Sequence, residues 1–196
     1  MARPQRNLLL VIASIGALVG GASVVDSPTV ILGAGVVALA VFVAAVFAGR
    51  DFFVGRFRMR QRRWDEALAA FEAFESKQLS SRLRRALAPL FVGLYSYDGV
   101  AIALNNQAVV RLNQGRFPQA EELLWRALSR DAPYAIPHVN LAILFALMGN
   151  AAEASREHEL AQSLGFRGAG LQQRIRTLLA RTNTAVGAAA SSEPTR

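Results

Sequence analysis

Two uncharged apolar stretches, Leu8–Val25 and Val30–Gly49, stand back to back at the N-terminus, parted only by Asp26-Ser27-Pro28-Thr29. A hydrocarbon layer roughly 30 Å thick needs about 20 apolar residues at 1.5 Å per residue, and each stretch has that length. Ten residues of the first are Leu, Ile or Val, and eleven of the second are Leu, Ile, Val or Phe. At roughly −0.3 to −0.6 kcal/mol apiece near the bilayer centre, each segment gains several kcal/mol on insertion, with no charge to oppose it. The expectation is a hairpin of two membrane spans over residues 1–49. Gly16 and Gly20, with Ala34, Ala38, Ala40, Ala44 and Ala48, offer small faces along which two such helices can approach closely.

Charge sets the orientation. Arg3 and Arg6 precede the first stretch, six arginines (Arg50, Arg56, Arg58, Arg60, Arg62 and Arg63) follow the second, and the intervening loop has neither Lys nor Arg. Positive flanks stay in the cytoplasm, so both termini are expected on that side. The competing reading is a secretory signal, with cleavage after Ala22 removing the first stretch; it would leave a second full-length span almost at the new N-terminus. Arg outnumbers Lys by 21 to 1, the usage of a GC-rich bacterial genome, and the expected location is therefore a bacterial inner (plasma) membrane.

The net charge of +8 is explained by this anchor. Arg50–Arg63 contributes +5 and Arg82, Arg84 and Arg85 three more, whereas Ala101–Phe166 holds five Arg against six acids. The six arginines after the second stretch are thus expected to form a surface for anionic lipid headgroups. A nucleic-acid partner is not expected, because that role wants basic and aromatic residues spread over a folded face. The absence of cysteine removes disulfides, thiolate zinc sites and a cysteine nucleophile.

Beyond the apolar pair the chain repeats itself. Asn106 and Asn140, Ala108 and Ala142, Gly115 and Gly149, Ala120 and Ala154, and Ala127 and Ala161 are each 34 residues apart. Leu104, Ala108, Leu112, Ala120, Leu123, Leu124 and Ala127 recur at helical spacing, giving two helices per unit, each with one apolar stripe. Gly115 and Gly149 sit where the first helix must stop, and glycine accepts the left-handed conformation of such a stop. Pro118 and Pro137 fall near helix starts. In this register the chain resembles the tetratricopeptide repeat (TPR) family, whose unit is a 34-residue helix–turn–helix. The units are 101–134 and 135–166.

A degenerate copy over 48–78 precedes them, with Ala67 corresponding to Ala120, Phe71 to Leu124 and Gly55 to Ala108. It departs at Arg62, where the others have Gly, and at Phe74, where they have Ala. Its first helix begins where the second span ends, so span and repeat are expected to form one continuous helix. Residues 80–95 read as an extra helix with Ser80 or Ser81 as its N-cap, ended by Ser96-Tyr97-Asp98-Gly99. Leu171, Ile175, Leu178 and Leu179 mark a capping helix over 169–181, and 182–196 reads as a disordered tail. The expected fold is all-α: a transmembrane hairpin, then a TPR-like α-solenoid over 50–181.

Chemistry finds little support. Gly33-Ala34-Gly35-Val36-Val37-Ala38 matches the dinucleotide fingerprint, but wholly apolar residues come after it where an amphipathic helix is needed, and Asp51, the acid that would have to hold the ribose, sits inside a basic flank. His138 and His158 fall on the two helices of one repeat without enough further ligands for a metal, and Glu153, Glu157 and Glu159 read as a solvated face. No cofactor is expected, and the chain is expected not to be an enzyme.

The TPR resemblance implies a concave groove lined by the first helices of successive repeats. The matching residues are Ile102, Asn105, Asn106, Val109, Leu112 and Asn113, then Ile136, Val139, Asn140, Ile143 and Leu147. Family members that grip a peptide carboxylate pair Asn with Lys or Arg. Here Val109, Asn113, Ile143 and Leu147 occupy the candidate positions of the cations, which favours an apolar or amphipathic helical segment as the bound partner. The alternative is that these side chains pack against the 80–95 helix or a second copy of the chain. The expected function is a membrane-anchored scaffold or adaptor. The competing one is an accessory subunit of a membrane complex, such as a transporter, secretion or respiratory assembly, held through its spans.

Overall fold

The structure, a computed structural model, describes residues 28–88 and 96–168, with Gly170, Gln173 and Thr177 beyond them. The described residues form seven helices and no strands: α1 (Pro28–Arg60), α2 (Trp64–Ser80), α3 (Arg82–Leu87), α4 (Gly99–Asn113), α5 (Phe117–Arg130), α6 (Ala135–Leu147) and α7 (Ala151–Ser163). Packing divides the chain into two compact units, Met1–Gln107 and Ala108–Arg196.

α1 is a single helix of 33 residues, about 50 Å long at the standard rise. Pro28 begins it, where a missing N–H does least harm. It contains the second apolar stretch and the basic segment after it, as far as Arg60, without a break. Among the described residues one helix is long and apolar enough to cross a membrane, over Ile31–Arg60. The first apolar stretch, Leu8–Val25, with Gly16 and Gly20, lies outside the described residues, and so does the hairpin those two stretches were expected to make.

In the first unit α2 runs back antiparallel along the C-terminal part of α1. Phe52 of α1 sets its ring 6.3 Å from that of Phe71 and 5.6 Å from that of Phe74, and all three are buried. Lys77 pairs with Asp51 at 2.6 Å and Arg58 with Glu66 at 3.3 Å, so ion pairs bracket the aromatic cluster. α3 packs against both α1 and α2. The hydroxyl of Ser81 accepts from the N–H of Arg84, which makes Ser81 the N-cap that starts α3. The expected helix 80–95 is described only as far as Ala88.

Asp98 opens α4: its carboxylate accepts from the N–H groups of Val100 at 2.8 Å and Ala101 at 3.0 Å. The segment Ser96–Gly99, read from sequence as a stop, is therefore also a start. Gln107 of α4 donates to Glu75 of α2 at 2.6 Å.

In the second unit α6 packs on α5 and α7. The core joins Ala108, Ala120, Leu124, Leu128, Leu141, Leu144, Phe145, Ala146 and Ala154, with Leu112, Phe117 and Leu123 at its edge. α6 is buried nearly all round, from Pro137 to Ala146. Gly170, Gln173 and Thr177 are helical, and the Thr177 hydroxyl donates to the Gln173 carbonyl. The apolar face expected for this capping helix lies outside the described residues.

One turn recurs through both units. Gly115 has φ +72° and Gly149 φ +86°, the left-handed conformation expected of them. Arg62, the residue that breaks the glycine pattern, has φ +58° and makes the same turn. In each, the next N–H reaches back five residues to a carbonyl: Arg63 to Arg58, Arg116 to Arg111 and Asn150 to Phe145. This double closure of a helix end satisfies carbonyls that would otherwise be orphaned. Five residues after each turn stands a fully buried alanine, Ala67, Ala120 or Ala154, and seven before it a buried small residue, Gly55, Ala108 or Ala142. Arg62 and Gly115 are 53 residues apart rather than 34, so nineteen residues containing α3 are inserted between the first helical hairpin and the second.

Candidate interaction surface

The residues expected to line a groove divide by exposure. Ile102, Asn105, Asn106, Val139, Asn140 and Ile143 are buried, Val109, Leu112 and Ile136 half-buried, and Asn113 and Leu147 exposed. Two of the asparagines turn to their own helix: Asn106 donates to the Ile102 carbonyl and Asn113 to the Val109 carbonyl, each at 2.7 Å. Each amide thus commits one of its two N–H donors to its own helix. Ile102, Val139 and Ile143 act as core, and the accessible part of the expected lining is Val109, Leu112 and Asn113 at the C-terminal end of α4 with Ile136 and Leu147 at the two ends of α6.

The six arginines after the apolar stretch also divide. Arg58 and Arg63 converge on Glu66, while Arg50, Arg56, Arg60 and Arg62 are exposed. Ahead of them α1 exposes Ile31, Leu32, Val36, Val37, Leu39, Phe42, Val46 and Phe47. Large apolar side chains bare over nearly five turns are the reverse of a soluble helix, which hides one stripe and wets the other. Gly33 and Gly35 lie inside this helix, and nothing stands within 4 Å of where their Cβ atoms would be. The strand and loop that a dinucleotide fingerprint requires are absent from this segment.

The histidines have an internal use. His138 Nδ1 lies 2.7 Å from Glu157 Oε2, tying α6 to α7, with both side chains buried. His158 Nε2 lies 2.8 Å from Gln162 Nε2. Glu157 is thus no part of a solvated face, which corrects the sequence reading. Its position between Ala154 and Ala161 on the buried stripe of α7 was the available signal. Among the described residues no three His, Cys, Asp or Glu side chains group as metal ligands.

Three helical hairpins closed by the same turn, with buried small residues at matching offsets, define a TPR-like helical-repeat protein. A family model described as Coatomer epsilon subunit matches residues 94–168, from just before α4 to just after α7. This likeness agrees with a helical-repeat protein of the protein-interaction kind. No curated protein matches the chain.

Proposed function

We propose that this chain is a membrane-anchored helical-repeat adaptor that holds a protein partner at the cytoplasmic face of a bacterial inner membrane and performs no chemistry itself. The observation that carries the reading is α1, one helix whose first two-thirds expose apolar side chains and whose last third pairs with α2 as half of a helical hairpin. An anchor built this way runs into the first helical hairpin without an intervening linker. The family model that matches 94–168 describes one subunit of a larger assembly, coatomer, which supports a role in binding proteins. Val109, Leu112, Asn113, Ile136 and Leu147 are the accessible candidates for contact with an apolar or amphipathic helical segment.

The test uses the full chain, which contains no native cysteine. Trp125→Cys places a thiol on an exposed residue of α5. The protein should resist carbonate extraction, and a membrane-impermeant maleimide should label Trp125→Cys in inside-out vesicles but not in intact cells. Extraction by carbonate, or labelling from outside, overturns the reading.

A second reading, the accessory subunit of an integral membrane complex, is favoured by the exposed small residues Gly35, Ala38 and Ala44 along α1. A partner that co-purifies in mild detergent separates the two. Loss with Leu147→Glu supports the adaptor, whereas loss with Ala38→Phe alone supports the subunit.

A further inference from the structure

The antiparallel pairing of α1 and α2 fixes how far back α2 reaches. Glu66 meets Arg58, Phe71 meets Gly55, Phe74 meets Phe52 and Lys77 meets Asp51. Three residues past Lys77, Ser80 is one turn further along and level with Ala48, the last turn of the apolar stretch. α3 starts there and packs on α1. It therefore lies at the boundary between the apolar and basic parts of α1.

Its composition suits that place. Ser80–Ala88 contains three arginines and no acid, and Leu79 and Leu83 are 51% and 68% exposed. Arg85 donates to the carbonyls of Gln78 and Leu79, fastening α3 to the end of α2. Arg82 is exposed and Arg84 half-buried. The arginines at the other end of α1 are too far away to do the same work. Arg60 lies 11 residues past Gly49, about 16 Å along the helix, and Arg62 and Arg63 are in the turn beyond its end, whereas the headgroup layer adds only about 5–8 Å per leaflet.

We propose that α3 is an interfacial foot: Leu79 and Leu83 enter the headgroup–acyl boundary beside α1, and Arg82 and Arg84 bind anionic phospholipid headgroups. The inference rests on α1 spanning the bilayer. Charge complementarity selects the lipid, since an all-cationic segment at headgroup level attracts anionic lipid, at roughly fivefold per arginine. Apolar side chains flanked by arginines in the plane of the membrane are the pattern of an interfacial helix.

The experiment reconstitutes the full chain in phosphatidylcholine vesicles containing phosphatidylglycerol, with an environment-sensitive fluorophore on a single introduced cysteine. Leu83→Cys tests the foot, Val36→Cys the span, and Leu160→Cys, exposed on α7, serves as the aqueous control. Nitroxide quenchers are carried either near the headgroup or near the bilayer centre. The expected result is quenching of Leu83→Cys by the headgroup-level probe, of Val36→Cys by the central probe, and of Leu160→Cys by neither. A phosphatidylglycerol-linked quencher should act on Leu83→Cys more strongly than a phosphatidylcholine-linked one, and Arg82→Gln with Arg84→Gln should abolish that difference. If Val36→Cys is quenched and Leu83→Cys is not, the foot is overturned while the span stands, and Leu79 and Leu83 belong to a protein contact instead. Equal quenching by the two lipids overturns the anionic preference. If Val36→Cys is not quenched, the span fails and the foot with it.

Discussion

The Phe71 ring stands 2.6 Å from the point where a Cβ would sit on Gly55. Glycine at that one position lets α2 lie against α1, so a residue with no side chain decides how the candidate anchor joins the first helical hairpin. Because Phe71 is fully buried beside Phe52 and Phe74, its ring has no room to retreat. Gly55→Ala should cost about 1–3 kcal/mol, the usual penalty of overpacking a filled core. Thermal unfolding of the full chain in detergent, followed by helical circular dichroism, measures it; an unchanged midpoint would mean that α2 does not pack on Gly55.

Arg62 occupies a left-handed conformation in which a side chain is strained, at the position where the other repeats have Gly115 and Gly149. Arg62→Gly should therefore stabilise the chain by about 1 kcal/mol, and Gly115→Ala and Gly149→Ala should each destabilise it by a similar amount. Denaturation midpoints of the three variants give both signs. The Arg62 side chain is exposed, and the ion pairs to Glu66 come from Arg58 and Arg63, so the substitution leaves them in place.

His138 and Glu157 join α6 to α7 through a buried contact, and removing one member leaves the other without it. Glu157→Ala should cost about 1–3 kcal/mol. Glu157→Gln, which keeps an oxygen acceptor of the same shape, should cost less. Glu159→Ala, an exposed neighbour on the same helix, is the control and should move stability by no more than about 0.5 kcal/mol.

Asp98 caps α4 through two backbone N–H groups. Asp98→Ala should lower stability by about 1 kcal/mol, and Asp98→Asn or Asp98→Ser should recover most of it. Hydrogen exchange at the first turn of α4 provides the local readout, with faster exchange expected in Asp98→Ala than in Asp98→Ser.

Periodicity is a local property, and the elements it dictates are legible in the chain directly. The 34-residue spacing of glycines and alanines marks α4 to α7, and the left-handed turns fall on Gly115 and Gly149 as that spacing requires. The hairpin of α1 and α2 has its buried positions at Ala67, Phe71 and Gly55, where the sequence pattern put them, even though Arg62 breaks that pattern. Local propensity also narrowed the cap to Ser80 or Ser81, of which Ser81 is the one used, and indicated the unbroken passage from the apolar stretch into the helix that pairs with α2.

Which side of a helix meets which neighbour depends on pairing between segments distant in sequence, and there the chain was silent or misleading. Glu157 looks solvated beside Glu153 and Glu159, yet its rotation about α7 carries it to the interior, where His138 accounts for its burial. Ile102, Val139 and Ile143 fit a groove by register but are core, because α4 and α6 are covered on more than one face. The arginines after the apolar stretch form one cluster in sequence and are strung out along about three turns in space, while those of α3 are returned to the apolar boundary by the antiparallel course of α2. Composition and spacing determined that this protein builds helical hairpins behind an apolar segment; the packing of α2 on Gly55 decided where its charges and accessible surfaces lie, since distances between helices are set by side-chain contact and not by position along the chain.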